Sequence, residues 1–253
     1  MPIEELTPTR RPVPDNLFGG SLRDAFLLDL EVIRVEHIAA HVRSITVAST
    51  DLLGFHFKAG QDLTIEFPDG SRTVRRRYTI RRADPAAGTA NLEFEIHSGG
   101  GVAARWAVDA EVGSRLEAIG PRGKIAVLSE SGSHLFVADD SAMPAAFAML
   151  ESLSRGATAT AVLVTSHGPG SRPGPLSSAD TRLLWIEEAE VPEVIDGLDL
   201  PRGLAAYVMG ERHLVIRSVD ALVAARVDRD GVASKPYWRG DQPNAAHGEP
   251  ARD

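Results

Sequence analysis

Two hydrophobic rhythms run through this chain, and they occupy different halves of it. From about residue 28 to residue 120 apolar and polar residues mostly alternate, in LDLEVIRVEHIA, VRSITVAS, DLTIEFP, RRYTIRR, NLEFEIH and RLEAIGP. A period of two belongs to strands with one buried and one wet face. Turn-forming DLLG, PDGS and DPAAG separate these runs. Six short strands at close spacing predict a six-stranded antiparallel β-barrel. One segment breaks the alternation. GVAARWAVDA follows glycines and sets Val102, Ala103, Trp106 and Ala107 at helical spacing, which predicts a short helix with Trp106 in its packing face.

After GPRGKIAVLSESGS the pattern changes to compact apolar runs, HLFVADD, TATAVLVTS, TRLLWIEE and LAAYVMGE. Runs of this kind suit strands buried on both faces of a parallel sheet. They alternate with helical MPAAFAMLESL, VPEVIDGL and RHLVIRSVDALVAARV, which predicts an α/β domain. The expected boundary falls between Ser129 and Ser133. The organisation read from this is a flexible tail over 1–20, a barrel domain over 21–130, a parallel-sheet domain over 131–240 and a flexible tail over 241–253.

Composition narrows the chemistry. The 253 residues are 43% hydrophobic and 25% charged, as in a soluble globular protein, and the net charge of −8 argues against nucleic acid or an anionic membrane as partner. The absence of cysteine removes disulfides, thiolate metal sites and cysteine nucleophiles. No stretch resembles a signal peptide, and none approaches the ~20 apolar residues of a membrane span. A cytoplasmic monomer is expected. The eight histidines show no His–carboxylate cluster at metal-site spacing, so no metal is expected. No P-loop, G-x-S-x-G elbow or G-x-G-x-x-G turn is present, and no catalytic nucleophile is assigned.

Against that acidic background, RRRYTIRR at 75–82 packs five arginines around Tyr78, Thr79 and Ile80. Alternation sets Arg75, Arg77 and Thr79 on one face and Arg76, Tyr78 and Ile80 on the other. Charge of this kind can guard an exposed edge strand. It can also bind an anion, because HSGGGVAARW places a glycine-rich turn at a helix start, where open amides and the positive dipole end suit a phosphate. Taken separately, each feature leaves both readings open.

In combination and in order they resemble one family. RRYTIRRADPAAGTANLEFEIHSGGGVAARWA, VGSRLEAIGPRG, VADDSAMPAAFAMLESL and YVMGERHLVIRSVDALV resemble the siderophore-interacting proteins of the ferredoxin-reductase superfamily, over nearly the whole chain. The resemblance implies FAD on the barrel, NADPH or NADH on the α/β domain, and a ferric siderophore as substrate. It implies Arg77 at the FAD pyrophosphate or ribityl, Tyr78 against the isoalloxazine, Thr79 near flavin N5 and Ile80 offering backbone groups to the ring. His97 and the amides of Gly101, Val102, Ala103 and Ala104 would hold the adenine–pyrophosphate half. In ADDSAMPA the strand ends at Asp139 and Ser141 can cap the following helix, with Pro144 in its first turn. Asp139, Ser141, Gly210 and Glu211 would then face the nicotinamide nucleotide. Tyr237 or Trp238 of SKPYWRGD could stack near the flavin or simply close a strand end. Arg172, in VTSHGPGSRPG, could meet a 2′-phosphate.

The activity implied is reduction of an Fe(III)-siderophore by NAD(P)H, with release of Fe(II). Arginine beyond the need of one pyrophosphate, namely Arg75 and Arg76, would with Lys58, Lys235 and Arg239 attract an anionic iron complex. Two other readings stand beside it: a flavin oxidoreductase serving a protein or free-flavin acceptor, and a non-enzymatic siderophore carrier on the same scaffold.

Overall fold

The computed structural model describes residues 27–97, 99–127 and 132–240, so the expected tails and most of the expected boundary segment lie outside the described residues. The first half contains β1 (Leu27–Ala39), β2 (Val42–Ala48), β3 (Asp62–Asp69), β4 (Arg72–Thr79), β5 (Arg82–Asp84), β6 (Thr89–Glu95), α1 (Val102–Asp109) and β7 (Arg115–Arg122). Its strands form one antiparallel sheet in the order β4-β3-β7-β1-β2-β6-β5. The sheet curls until distant strands meet: the Arg81 N–H, just past β4, donates to the Asn91 carbonyl of β6 at 2.9 Å.

Alternation sets the inside of this curl. Leu63, Ile65 and Phe67 of β3 pair across to Tyr78, Arg76 and Val74 of β4, so these six share a face. Leu30, Ile45, Leu92, Phe94 and Ile80 complete the fully buried core. Trp106 packs on Phe67 and Phe94, as the helical spacing predicts. The strand count differs from the six expected, because the described residues form seven strands in this sheet. The additional one is β5, whose three residues are too few for alternation to show. It forms because the Asp84 carboxylate accepts the Ala86 and Ala87 N–H groups and folds the chain back onto β6.

The second half comprises β8 (Ser133–Asp139), α2 (Met143–Glu151), β9 (Thr158–Val164), β10 (Asp180–Ile186), α3 (Val191–Asp196), β11 (Ala205–Glu211), α4 (Arg212–Ala224) and β12 (Val232–Trp238). Its parallel sheet runs β10-β9-β8-β11-β12. Alternate residues of β8 serve opposite layers. Phe136 and Ala138 pack toward α2, while Leu135 and Val137 pack toward α3 and α4. That double burial is why these strands are apolar throughout. Strand order reverses at β8, which leaves a crevice beyond its carboxyl end, where sheets of this kind place ligands. SKPYWRGD contributes the edge strand β12, paired to β11.

Candidate active site

The curled sheet and the crevice beyond β8 face each other across a cleft of about 580 Å³. The volume suits a sizeable organic ligand, for which roughly 300–1,000 Å³ is usual. From the barrel side it is lined by Arg76, Arg77, Tyr78, Thr79, Glu95 and His97, and by the α1 entry from Gly99 to Gly101 with Ala103 and Ala104. Asp140, Ser141, Arg172, Tyr237, Trp238 and Arg239 line it from the α/β side.

The amino terminus of α1 is built to stay open. Its N-cap is Gly101, with no side chain over the first amides. A Cβ on Gly100 would sit 2.6 Å from the Ala104 Cβ, so only glycine lets the turn close this tightly. Bare amides, several guanidinium groups and three aromatic side chains in one cleft suit an elongated ligand with an anionic middle and a flat aromatic end, as a flavin dinucleotide is. The residues present fit FAD.

Each aromatic is held. Tyr78 packs at 4.2 Å on Phe94, and burial pushes its phenol well above the usual tyrosine range. Tyr237 is pushed up for the same reason, donates its hydroxyl to the Met209 sulfur at 3.5 Å and lies 5.1 Å under the Lys235 ammonium. The Trp238 indole donates to Asp139 at 3.1 Å.

Several expected ligand contacts are otherwise engaged. Ile80 points into the barrel core, donates its N–H to the Gln61 carbonyl and does not line the cleft. Val102 also lies off the lining. Arg77 lines it, but is clamped by two bonds of 2.8 and 2.9 Å to the buried Asp62 carboxylate, which Lys235 joins at 2.9 Å. Ser141 does not cap α2. Its hydroxyl donates to Asp139, and the Asp139 carboxylate takes the Ala142 and Glu211 N–H groups instead. Burial pushes the Asp139 carboxyl up, against the pull of these donors. Gly210 is required by this hub, since at φ +132° any Cβ would stand 2.6 Å from the Asp139 carboxyl carbon. Glu211 caps α4 by accepting the His213 and Leu214 N–H groups.

Arg172 corrects an expectation outright. It does not wave on a glycine-rich loop to meet a 2′-phosphate. Its side chain is 2% exposed, pairs with Glu93 of β6 and lies 5.5 Å from the Phe147 ring centroid. The arginine run divides similarly. Arg75 pairs with Glu66, while Arg81 and Arg82 both bond to Glu151 at the end of α2. Arg81 and Arg82 therefore join the two domains. Lys58 is exposed and off the cleft, as is Arg75; Arg76 and Arg239 line it.

The sequence shows no His–carboxylate cluster along the chain, but the fold makes one in space. Glu95 and Asp140, which line the cleft, and the exposed His167 beside it bring ligand atoms within 4.8 Å of one another. The His41 ring stacks on His167 with centroids 3.7 Å apart. Burial, then the neighbouring Asp140 and Asp139, push the Glu95 carboxyl up. Burial, then His167, pull the His41 imidazole down. The residues are 41, 95, 140 and 167, separations at which no sequence spacing could signal a site.

A curled antiparallel sheet carrying an open helix start, set against a parallel sheet with the ligand cleft between them, defines the ferredoxin-reductase-like flavoproteins. The description siderophore-interacting FAD-binding domain matches residues 56–125, and siderophore-interacting protein matches residues 131–241. The chain belongs to the siderophore-interacting protein family, and its first half carries an FAD-binding domain. It is 25% identical to ferric vibriobactin reductase ViuB of Vibrio cholerae, over 87% of this chain and 92% of that one. It is 27% identical to the NADPH-dependent ferric-chelate reductase of Escherichia coli, over 83% and 92%. The siderophore-interacting protein SipS of Aeromonas hydrophila superposes with a TM-score of 0.77 at 24% identity, over 86% and 93% of the two chains.

Proposed function

We propose that this flavoprotein oxidoreductase is an NAD(P)H-dependent ferric-siderophore reductase of the cytoplasm. The observation that carries the reading is the cleft itself, in which an uncapped helix start, guanidinium groups and three aromatic side chains converge between the domains. The names of the Vibrio and Escherichia relatives, both ferric reductases, support the same substrate class. Among the described residues no helix is long and apolar enough to cross a membrane.

In this reading the α1 amides from Gly101 to Ala104 hold the FAD pyrophosphate, with His97 at the adenine side. Arg77, fixed by Asp62, supplies its remaining donors to the ribityl side. Tyr78 offers a flat face that stays protonated, because its buried environment resists the phenolate. Thr79, which lines the cleft beside Tyr237, keeps a hydroxyl at the flavin edge. Bound FAD would supply the conversion of a two-electron hydride donor into one-electron reduction, two Fe(III) for each NAD(P)H. No protein nucleophile is required, and the chain contributes alignment and exclusion of water. Asp139, Gly210 and Glu211 shape the crevice for the nicotinamide nucleotide through their bonds to one another, not by binding phosphate. Arg76 and Arg239, inside the cleft, draw in an anionic iron complex; Arg75 and Lys58, outside it, act only through the longer-range field.

The test is an anaerobic half-reaction series. NADPH or NADH should bleach the bound flavin, and a ferric siderophore should then restore its colour while Fe(II) appears in a ferrous chelator. Flavin that neither nicotinamide bleaches, or reduced flavin that ferric complexes leave untouched, would refute the reading.

A further inference from the structure

We propose that Glu95, Asp140 and His167, backed by His41, form a site for one divalent first-row transition-metal cation at the edge of the cleft. The four come from four separate places. Glu95 ends β6, Asp140 follows β8, His167 follows β9 and His41 sits in the turn before β2. Their positions are fixed by backbone bonds. Ile96 donates to the His41 carbonyl at 2.7 Å, Val42 pairs with Glu95 in register, and the His167 N–H donates to the Thr165 hydroxyl. Three candidate ligand atoms already lie within 4.8 Å of one another. Metal–ligand bonds of about 2.0–2.2 Å would draw them together by roughly 1 Å, within reach of side-chain rotation.

Two observations point to a missing ligand. The His41 side chain is 8% exposed, its Nε2 has no hydrogen-bond partner, and it faces Asp140 Oδ1, itself unpartnered, across 3.8 Å. Buried polar atoms left this way cost free energy unless something satisfies them. Neither Glu95 nor Asp140 is ion-paired to a lysine or arginine among the described residues. The adjacent Arg172 is engaged by Glu93, and Arg81 by Glu93 and Glu151. Two carboxylates thus lie close together beside two imidazoles, with the Arg172 guanidinium nearby but engaged by Glu93. Two imidazoles stacked at 3.7 Å cannot both carry charge cheaply, so at least one stays neutral and keeps a lone pair for a metal. Imidazole with carboxylate suits Zn(II), Fe(II) and their neighbours, whereas Mg(II) and Ca(II) prefer all-oxygen sets. The inference does not depend on the ferric-reductase reading, although the Fe(II) which that reaction would release falls within the class.

Equilibrium dialysis of the purified, FAD-saturated full chain tests it, with Zn(II) in air and Fe(II) under nitrogen, and bound metal measured by atomic emission. One ion per chain is expected, with Mg(II) failing to compete. His167→Ala and Asp140→Asn should each weaken binding at least a hundredfold, and His41→Ala about tenfold, as loss of a supporting partner does. His56→Ala, at an exposed histidine elsewhere, should leave it unchanged. Retained flavin colour reports that each variant is folded. Wild-type protein that binds no stoichiometric metal, binding undiminished in both ligand variants, or displacement by Mg(II) would overturn the proposal. Because none of these readouts uses NAD(P)H or a siderophore, failure here and failure of the reductase reading are separate results.

Discussion

On the barrel wall of the cleft, helix α1 begins at Gly101 with nothing over its first amides, whereas on the α/β wall Glu211 takes the first amides of α4. Helix α2 opens without a side-chain cap but loses one amide to Pro144, and the N–H of its N-cap Ala142 is held by Asp139. The charges do not divide the same way. Arg76 and Arg77 line the barrel wall and Arg172 and Arg239 the α/β wall, while Glu151 holds Arg81 and Arg82 at the junction. An open helix start is a standing anion site, and a start filled by its own carboxylate repels one. Open amides therefore remain chiefly on the barrel side. A strand–helix turn in sequence does not distinguish the two cases, and the side chain at the cap does.

Four substitutions bear on that contrast. The largest effect is expected from Glu151→Ala, which strips Arg81, whose side chain is only 4% exposed, of the nearer of its two carboxylate partners and leaves it Glu93 at 3.4 Å. Each charge-assisted bond lost costs about 1.5–3 kcal/mol, so urea midpoints should fall accordingly. The pH dependence has a definite sign. Burial alone would raise the Glu151 carboxyl, but Arg81 and Arg82 outweigh it and hold it well below the ordinary 4.5. Its contribution is present in full above that value and drains away as pH falls below it. Wild-type stability should therefore decline more steeply on acidification than that of the variant; parallel curves would show that the junction carries no such load.

Next comes Gly101→Asp, which gives α1 the kind of cap that α4 has. The helix should gain stability while FAD affinity drops about a hundredfold, or about 2.7 kcal/mol, read by fluorescence on titrating FAD into stripped protein. Unchanged affinity would remove the α1 amides from the FAD site. Glu211→Ala opens α4 instead. It should cost about 1 kcal/mol of stability, the usual worth of a cap, and leave FAD affinity unaltered. Arg75→Ala should matter least. Its pair with Glu66 is over half exposed on the arginine side, so the stability change should stay below about 0.5 kcal/mol and FAD retention should not move. A large loss of FAD in this variant would contradict the division of the arginine run.

Much of the fold was legible along the chain because burial repeats with a local period. Leu63, Ile65 and Phe67 announce a one-faced strand, and HLFVADD announces a two-faced one, without reference to any partner. The three-residue β5 escaped because it is shorter than the pattern that would reveal it, and its pairing depends on a turn made by the Asp84 side chain. In RRRYTIRR the alternating faces were readable too. The partners were not: Asp62, Glu66, Glu93 and Glu151 stand 9 to 70 residues away from the arginines they hold. A side chain's charge is written in the sequence, but whether that charge is free to meet a ligand depends on which opposite charge the folded chain brings beside it. Arg172 and the His41–His167 stack make the same point from both directions. One looked available and is buried against Glu93, while the other looked like scattered histidines and closes into a cluster, because only the packing of the two domains sets residues 41, 95, 140 and 167 around one point.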